Sequence, residues 1–260
     1  MGATTPRRRV PSDADAWSRL ERAIVSCTRC KRLIAHCREV ARRRRRAYRD
    51  EIYWGRPVTG FGDLDARILM LGLAPGAHGA NRTGRIFTGD RSGDFLYGAL
   101  HRAGLANQSR AVGVDDGLRL RRVFVSAACR CAPPGNRPSP AELRNCAGYL
   151  ARELDLLARL RVVVALGRIA WEAALRRARE IAAGSPFRAP RFGHGAEARL
   201  TLATGGLPLW LVGSYHPSQQ NTQTGRLTRA MFDRVIRRAV ALARSDEYPG
   251  SRHETAPPVQ

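Results

Sequence analysis

Ile68-Leu-Met-Leu-Gly72-Leu-Ala-Pro-Gly76 is the stretch on which the fold turns. Four apolar residues and then glycine and proline describe a strand buried on both faces that runs into a tight loop. Ser92–Arg102 follows with helical spacing, and the same alternation continues. Val123–Ala127 reads as a second strand. Ser139-Pro-Ala-Glu142 is a capping box with proline at the first helical position, opening a helix to about Leu160. Val162–Leu166 is a third strand, Ile169–Ile181 a helix, and Leu209–Val212 a fourth strand. Thr224–Ala243 is the last helix, apolar at Leu227, Met231, Val235 and Leu242. Continuous apolar strands alternating with helices predict a three-layer α/β/α fold around a central four-stranded, mainly parallel sheet. Ligands of such sheets sit beyond the carboxyl ends of the strands. The unusual sequences fall there: Gly72–Gly76 after the first strand, Cys131-Ala-Pro-Pro-Gly-Asn136 after the second, and Gly213-Ser-Tyr-His-Pro-Ser218 after the fourth.

Upstream, Trp17, Leu20, Ile24 and Cys27 recur at helical spacing, with Asp13 or Asp15 as N-caps, and a second helix is expected through Arg42–Arg46 towards Tyr48. The expected organisation is a basic tail over 1–12, one domain over 13–246 and a Pro-rich polar tail over 247–260. With 260 residues, 43% hydrophobic and 26% charged, the composition is that of a globular protein. Its charge is not ordinary. Lys and Arg total 45 against 22 Asp and Glu, a net charge of +23, which favours a polyanionic partner, nucleic acid first. Lys31 is the sole lysine, so a Walker A phosphate loop is excluded and Schiff-base chemistry is confined to Lys31 or the N-terminus. No apolar run approaches the ~18 residues of a membrane span, and no secretory pattern opens the chain. An intracellular, cytoplasmic and nucleoid-associated protein is expected, with its cysteines reduced.

Six cysteines in that setting point to metal or catalysis before disulfides. Cys27-Thr-Arg-Cys30 supplies a local pair, and Cys131 and Cys146 two distant points. Such a set closes one tetrahedral site, suiting structural zinc or an iron–sulfur cluster alike. Cys37 and Cys129 read as small buried apolar groups, although Cys129, two residues from Cys131, is a rival ligand on spacing alone.

Three stretches together resemble the uracil-DNA glycosylase superfamily, and within it family 5, the type B enzymes. They are Gly72-Leu-Ala-Pro-Gly-Ala-His-Gly-Ala-Asn-Arg-Thr-Gly-Arg-Ile-Phe-Thr-Gly-Asp-Arg-Ser-Gly93, Cys131-Ala-Pro-Pro-Gly-Asn-Arg-Pro138, and Ser214-Tyr-His-Pro-Ser218 with Gln220-Asn-Thr-Gln-Thr-Gly-Arg-Leu-Thr228. The resemblance covers roughly residues 17 to 243 and implies a uracil-DNA glycosylase-like fold. It implies a structural [4Fe–4S] cluster on Cys27, Cys30, Cys131 and Cys146, since the family ligand directly precedes the x-Pro-Pro; zinc is the lesser alternative.

The implied chemistry is cleavage of a base–sugar bond, with positive charge building on the sugar and negative charge on the departing uracil. The resemblance gives His216 the uracil O2 as charge develops, Asn136 the Watson–Crick edge, and Phe87 the flipped base to stack on. Backbone N–H groups of Gly72, Ala74 and Gly76 are further donors. Several related families carry a carboxylate or amide in the first motif to position water; this chain does not, and Asp90 is assigned that task. Each assignment has a structural rival: an N-cap for Asp90, a turn residue for Asn136, a satisfied strand-end histidine for His216. His78 and Asn81 are weaker pocket candidates. Ser218, Gln219, Gln220, Asn221 and Arg226 are expected at the DNA surface, with Arg229 and the Arg42–Arg46 run on phosphates.

The expected function is a monofunctional DNA-repair glycosylase acting on uracil and other deaminated or modified bases in double-stranded DNA, working as a monomer. The alternative is a non-catalytic nucleic-acid-binding module with a four-cysteine metal site on the same fold.

Overall fold

The computed structural model describes residues 13–183 and 188–244. The two expected tails, 1–12 and 247–260, fall outside these residues. Six strands form one sheet in the order β1-β3-β2-β4-β6-β5. The four strands read from sequence are its parallel centre: β2 (Ile68–Gly72), β3 (Val123–Ala127), β4 (Val162–Leu166) and β6 (Leu209–Ser214). Two short antiparallel strands extend it at the edges, β1 (Phe61–Gly62) on β3 and β5 (Glu197–Leu200) on β6. β1 is too short to show a period, and β5 is mostly solvated, so neither carries an apolar run.

Alternation along the strands sorts the core into two layers. Ile68 and Met70 face one side with α4 (Arg91–Arg102) and α8 (Arg229–Arg244), through Leu96, Tyr97, Phe232 and Ile236. Leu69 and Leu71 face the other side, against α1 (Asp13–Val25), α5 (Pro140–Leu156) and α6 (Arg168–Ala182), through Trp17, Leu154 and Trp171. A third, smaller cluster joins α2 (Lys31–Arg43) to the end of β3 through Leu33, Cys37, Cys129, Cys131 and Cys146. The sheet between two helical layers is the expected α/β/α arrangement.

Four helix boundaries differ from expectation, the first being the end of α5 at Leu156 rather than about Leu160. α2 stops at Arg43, because Arg44 turns to φ 52°, ψ 162°, and only a single 3-10 turn, Arg46–Tyr48, follows. Cys27 lies beyond α1, in the turn between α1 and α2. The last helix, α8, starts at Arg229 rather than Thr224, after Gly225 at φ 73°, and a separate short helix, α7 (Gln219–Gln223), precedes it. The capping box of α5 is present: Glu142 N–H donates to Ser139 Oγ at 3.2 Å and Ser139 N–H to Glu142 Oε2 at 2.7 Å.

β2 continues into α4 on one face, whereas its neighbour β4 continues into α6 on the other. The two connections therefore leave in opposite directions and open a crevice at the carboxyl ends of β2 and β4.

Candidate active site

The crevice is built from the loop after β2. Gly72 ends the strand, and a side chain there would strike the Phe87 ring, 2.7 Å from Cε2. Phe87 is 6% exposed and held at φ 52°, a conformation rare for a bulky residue and of the kind stored at functional sites. Its ring stacks on the His216 imidazole, with centroids 5.9 Å apart and planes at 28°. Burial pushes His216 down to about 4, so its ring is neutral near pH 7 and keeps one N–H donor and one acceptor. Asn221 Nδ2 donates to His216 O at 2.9 Å, and Ser218 caps α7 by accepting from Asn221 N–H at 3.3 Å. Asn221 and Ser218 thus brace the His216 loop from within, while Gln219, Gln220 and Arg226 are exposed beside it. The Arg226 guanidinium lies 4.9 Å above the Tyr215 ring.

Asp90 caps α4: its Oδ1 accepts from Gly93 N–H at 2.9 Å. Its other oxygen is turned to the β2 loop. A β-carbon at Gly76 would lie 2.8 Å from Asp90 Oδ2, and one at Gly79 would collide with it. Cap and loop-facing carboxylate are therefore two oxygens of one group. Burial raises the Asp90 pKa, opposed by the backbone donors at Gly93 and Ser92. Replacing Gly79 by Ala is expected to displace Oδ2 and lower the rate of base release roughly hundredfold. Single-turnover rates alongside the melting temperature of the variant check this.

Ala74, with Ala77, packs on the third cluster, so the loop rests on the cysteines. Asn136 sits in a short turn after Pro134 at φ 57° and is exposed, its side chain making no hydrogen bond among the described residues. Its amide is free to meet a ligand, and its backbone is also the turn that its sequence suggested. Asn81 is buried and donates to Cys37 O at 3.3 Å, which makes it a brace.

The residue that sequence reasoning left without a role is Arg82, 8% exposed. Its Nε donates to His78 O at 2.8 Å and its Nη2 to Gly89 O at 2.8 Å, pinning both ends of the segment between His78 and Asp90. Its other partners, Glu51 and Tyr48, lie far upstream, so no local signal reveals it.

Cys30, Cys37, Cys129, Cys131 and Cys146 gather in the third cluster, while Cys27 packs against the second, and the site is not closed. Cys129 and Cys146 stand with sulfurs 4.0 Å apart, the Cys37 thiol donates to Ala132 O and the Cys129 thiol to Cys131 O, each at 3.6 Å, and Cys30 Sγ accepts from Asn145 at 3.4 Å. Among the described residues no three His, Cys, Asp or Glu converge to hold a metal ion as they stand.

A flat ring entering this crevice would meet an aromatic face, a neutral imidazole and a desolvated carboxylate, on a strongly cationic protein. These are the means to expel a nucleobase as an anion and to direct water at the sugar it leaves. Residues 59–239 match the family model described as the Uracil DNA glycosylase superfamily, and the chain belongs to that superfamily. Within it the chain belongs with the type-5 enzymes. It is 53% identical over 223 residues to the Type-5 uracil-DNA glycosylase of Mycobacterium tuberculosis, covering 85% of this chain and 80% of that one. To the Type-5 enzyme of Thermus thermophilus it is 54% identical over 220 residues, 85% and 95% of the two chains. To that of Pyrobaculum aerophilum it is 45% identical over 218 residues, 84% and 89%.

Proposed function

We infer that this chain is a monofunctional DNA-repair glycosylase that hydrolyses the N-glycosidic bond of uracil extruded from double-stranded DNA and leaves an intact abasic site. The observation that carries it is Asp90: one oxygen holds α4 and the other is turned, desolvated, to the glycine loop beside the Phe87–His216 stack. In this reading uracil stacks on Phe87, Asn136 pairs with its edge, and neutral His216 donates its N–H to O2 as negative charge develops. Backbone N–H groups of Gly72, Ala74 and Gly76 add donors. Asp90 takes a proton from the water that adds to the sugar. The sole lysine, Lys31, is exposed at the start of α2, which supports hydrolysis by water over Schiff-base lyase chemistry. Other deaminated or modified bases of similar size and edge fit the same contacts.

A [4Fe–4S] cluster on Cys27, Cys30, Cys131 and Cys146 belongs to this reading. The donor set fits: all thiols, none in a disulfide. Arg130, between Cys129 and Cys131, also carries a buried Nε without a partner among the described residues. A bound cluster would supply a structural centre joining the α1–α2 turn to β3 and α5. No described helix is long and apolar enough to cross a membrane; an intracellular setting suits both DNA and reduced thiols.

The test is base release from a duplex with one uracil opposite guanine, developed with and without alkali. Strand cleavage only after alkali is the expected result. Cleavage without it would replace hydrolysis by lyase chemistry, and no release from iron-loaded protein would move the binding-module reading forward.

A further inference from the structure

Residues 44–56 form a strap across α3 (Ala80–Thr83), outside the crevice but riveted to it. Trp54 N–H donates to Arg82 O at 2.9 Å and Gly55 N–H to Asn81 O at 3.0 Å. Arg82, which pins His78 and Gly89, extends its guanidinium 4.0 Å over the Tyr48 ring and pairs with Glu51. The Tyr53 hydroxyl accepts from Arg45 N–H at 3.3 Å and lies 3.0 Å from His78 Nδ1. The strap and the catalytic loop are thus one packed unit.

The outward side of that unit is exposed among the described residues. Ile52, between the anchored Glu51 and Tyr53, is 89% exposed, and Trp54 is 38% exposed with Arg56 over its ring. Arg45, Arg46 and Arg49 are exposed in a row beside them. A cleft of about 460 Å³ opens between Trp54 and the Cys27 turn, with Arg38 and Arg56 on its wall. Cations interleaved with apolar and aromatic faces suit a nucleic-acid strand, whose phosphates take the arginines and whose sugars and bases take the apolar faces. An acidic peptide would satisfy the arginines but leave Ile52 and Trp54 without a partner.

We propose that this strap is a second DNA-binding element, holding the lesion-bearing strand beyond the extruded nucleotide on Arg45, Arg46, Arg49 and Trp54. Arg82 is its positioning residue, setting the strap and the Asp90 loop in one register. This rests on the glycosylase reading for the identity of the strand.

The test uses the full iron-loaded chain and a short duplex with a stable abasic analogue, with affinity measured across a range of salt. Arg45→Ala/Arg46→Ala/Arg49→Ala is expected to lower the slope of log affinity against log salt by about 2 to 3, close to one per lost phosphate contact. Affinity should fall about tenfold or more while the melting temperature holds, since these side chains are exposed. Trp54→Ala should weaken binding without changing the slope. A triple variant with the wild-type slope and affinity would overturn the proposal and leave the strap to another acidic partner. Uracil release by wild-type protein is followed in parallel. No release with the slope change intact would sink the glycosylase reading alone, and release with an unchanged slope would sink the strap alone.

Discussion

Replacing Asp90 with Asn is expected to lower base release by about 10² to 10⁴-fold while leaving the melting temperature unchanged or slightly higher. Asparagine caps a helix as well as aspartate does, so Gly93 N–H keeps its acceptor and α4 its start. What is lost is the proton acceptor at the glycine loop, and general-base catalysis accounts for that range. The pH dependence carries a second signature. Burial raises the Asp90 pKa, so its ionised form costs folding free energy at neutral pH, a cost that Asn does not carry. For the wild type, base release should decline as pH falls through a value above the ordinary carboxylate pKa. In the Asn variant that acid limb should be absent from the residual rate. His216, at about 4, adds no limb near neutrality. A variant that retained wild-type rate would reduce Asp90 to a cap, whereas one that melted many degrees lower would leave the cap as its main contribution.

The second large effect concerns which cysteines matter. Alanine at Cys131 or Cys146 is expected to abolish iron binding, from about four irons per chain to below one, with loss of the visible cluster absorbance. Alanine at Cys37 or Cys129 should leave the iron in place and cost on the order of 1 kcal/mol of stability, the usual scale for trimming a buried side chain. All four are buried, so burial does not separate ligands from spares. Iron content per chain, set beside melting temperature, does. Iron lost from the Cys129 variant but kept in the Cys131 variant would exchange their roles.

The parallel core of the sheet was legible because each strand is a short apolar run closed by glycine or a turn, a pattern that needs no tertiary information. The α5 start was legible for the same reason: its capping box is complete within Ser139–Glu142. Edges were not. β5 takes its strand geometry from hydrogen bonds to β6, and two residues of β1 from β3. The late start of α8 was hidden, since Gly225 within an apolar period does not announce a positive φ. In the site, Phe87 and His216 meet because the loops after β2 and β6, two parallel strands with β4 between them, open at the same end of the sheet. The part played by Arg82 was hidden, since its meaning lies in carbonyls and an upstream ring that local sequence does not pair. Asn221 was read as facing DNA, but the amide has a nearer acceptor in His216 O.

Arg130 and Glu153 form a buried pair, Nη2 to Oε2 at 2.6 Å, and Ser126 joins both. Arg32 makes a forked pair with Glu142, the residue that completes the α5 capping box, at 2.6 and 2.8 Å. The first fastens the end of β3 to α5, and the second fastens the start of α2 to the start of α5. The carriers of Cys30, Cys131 and Cys146 are therefore sewn to one another by the polypeptide's own charges. On the proposed cluster reading, Cys30, Cys131 and Cys146 would ride on segments already tied by ion pairs, so those two ties should outlast loss of the iron.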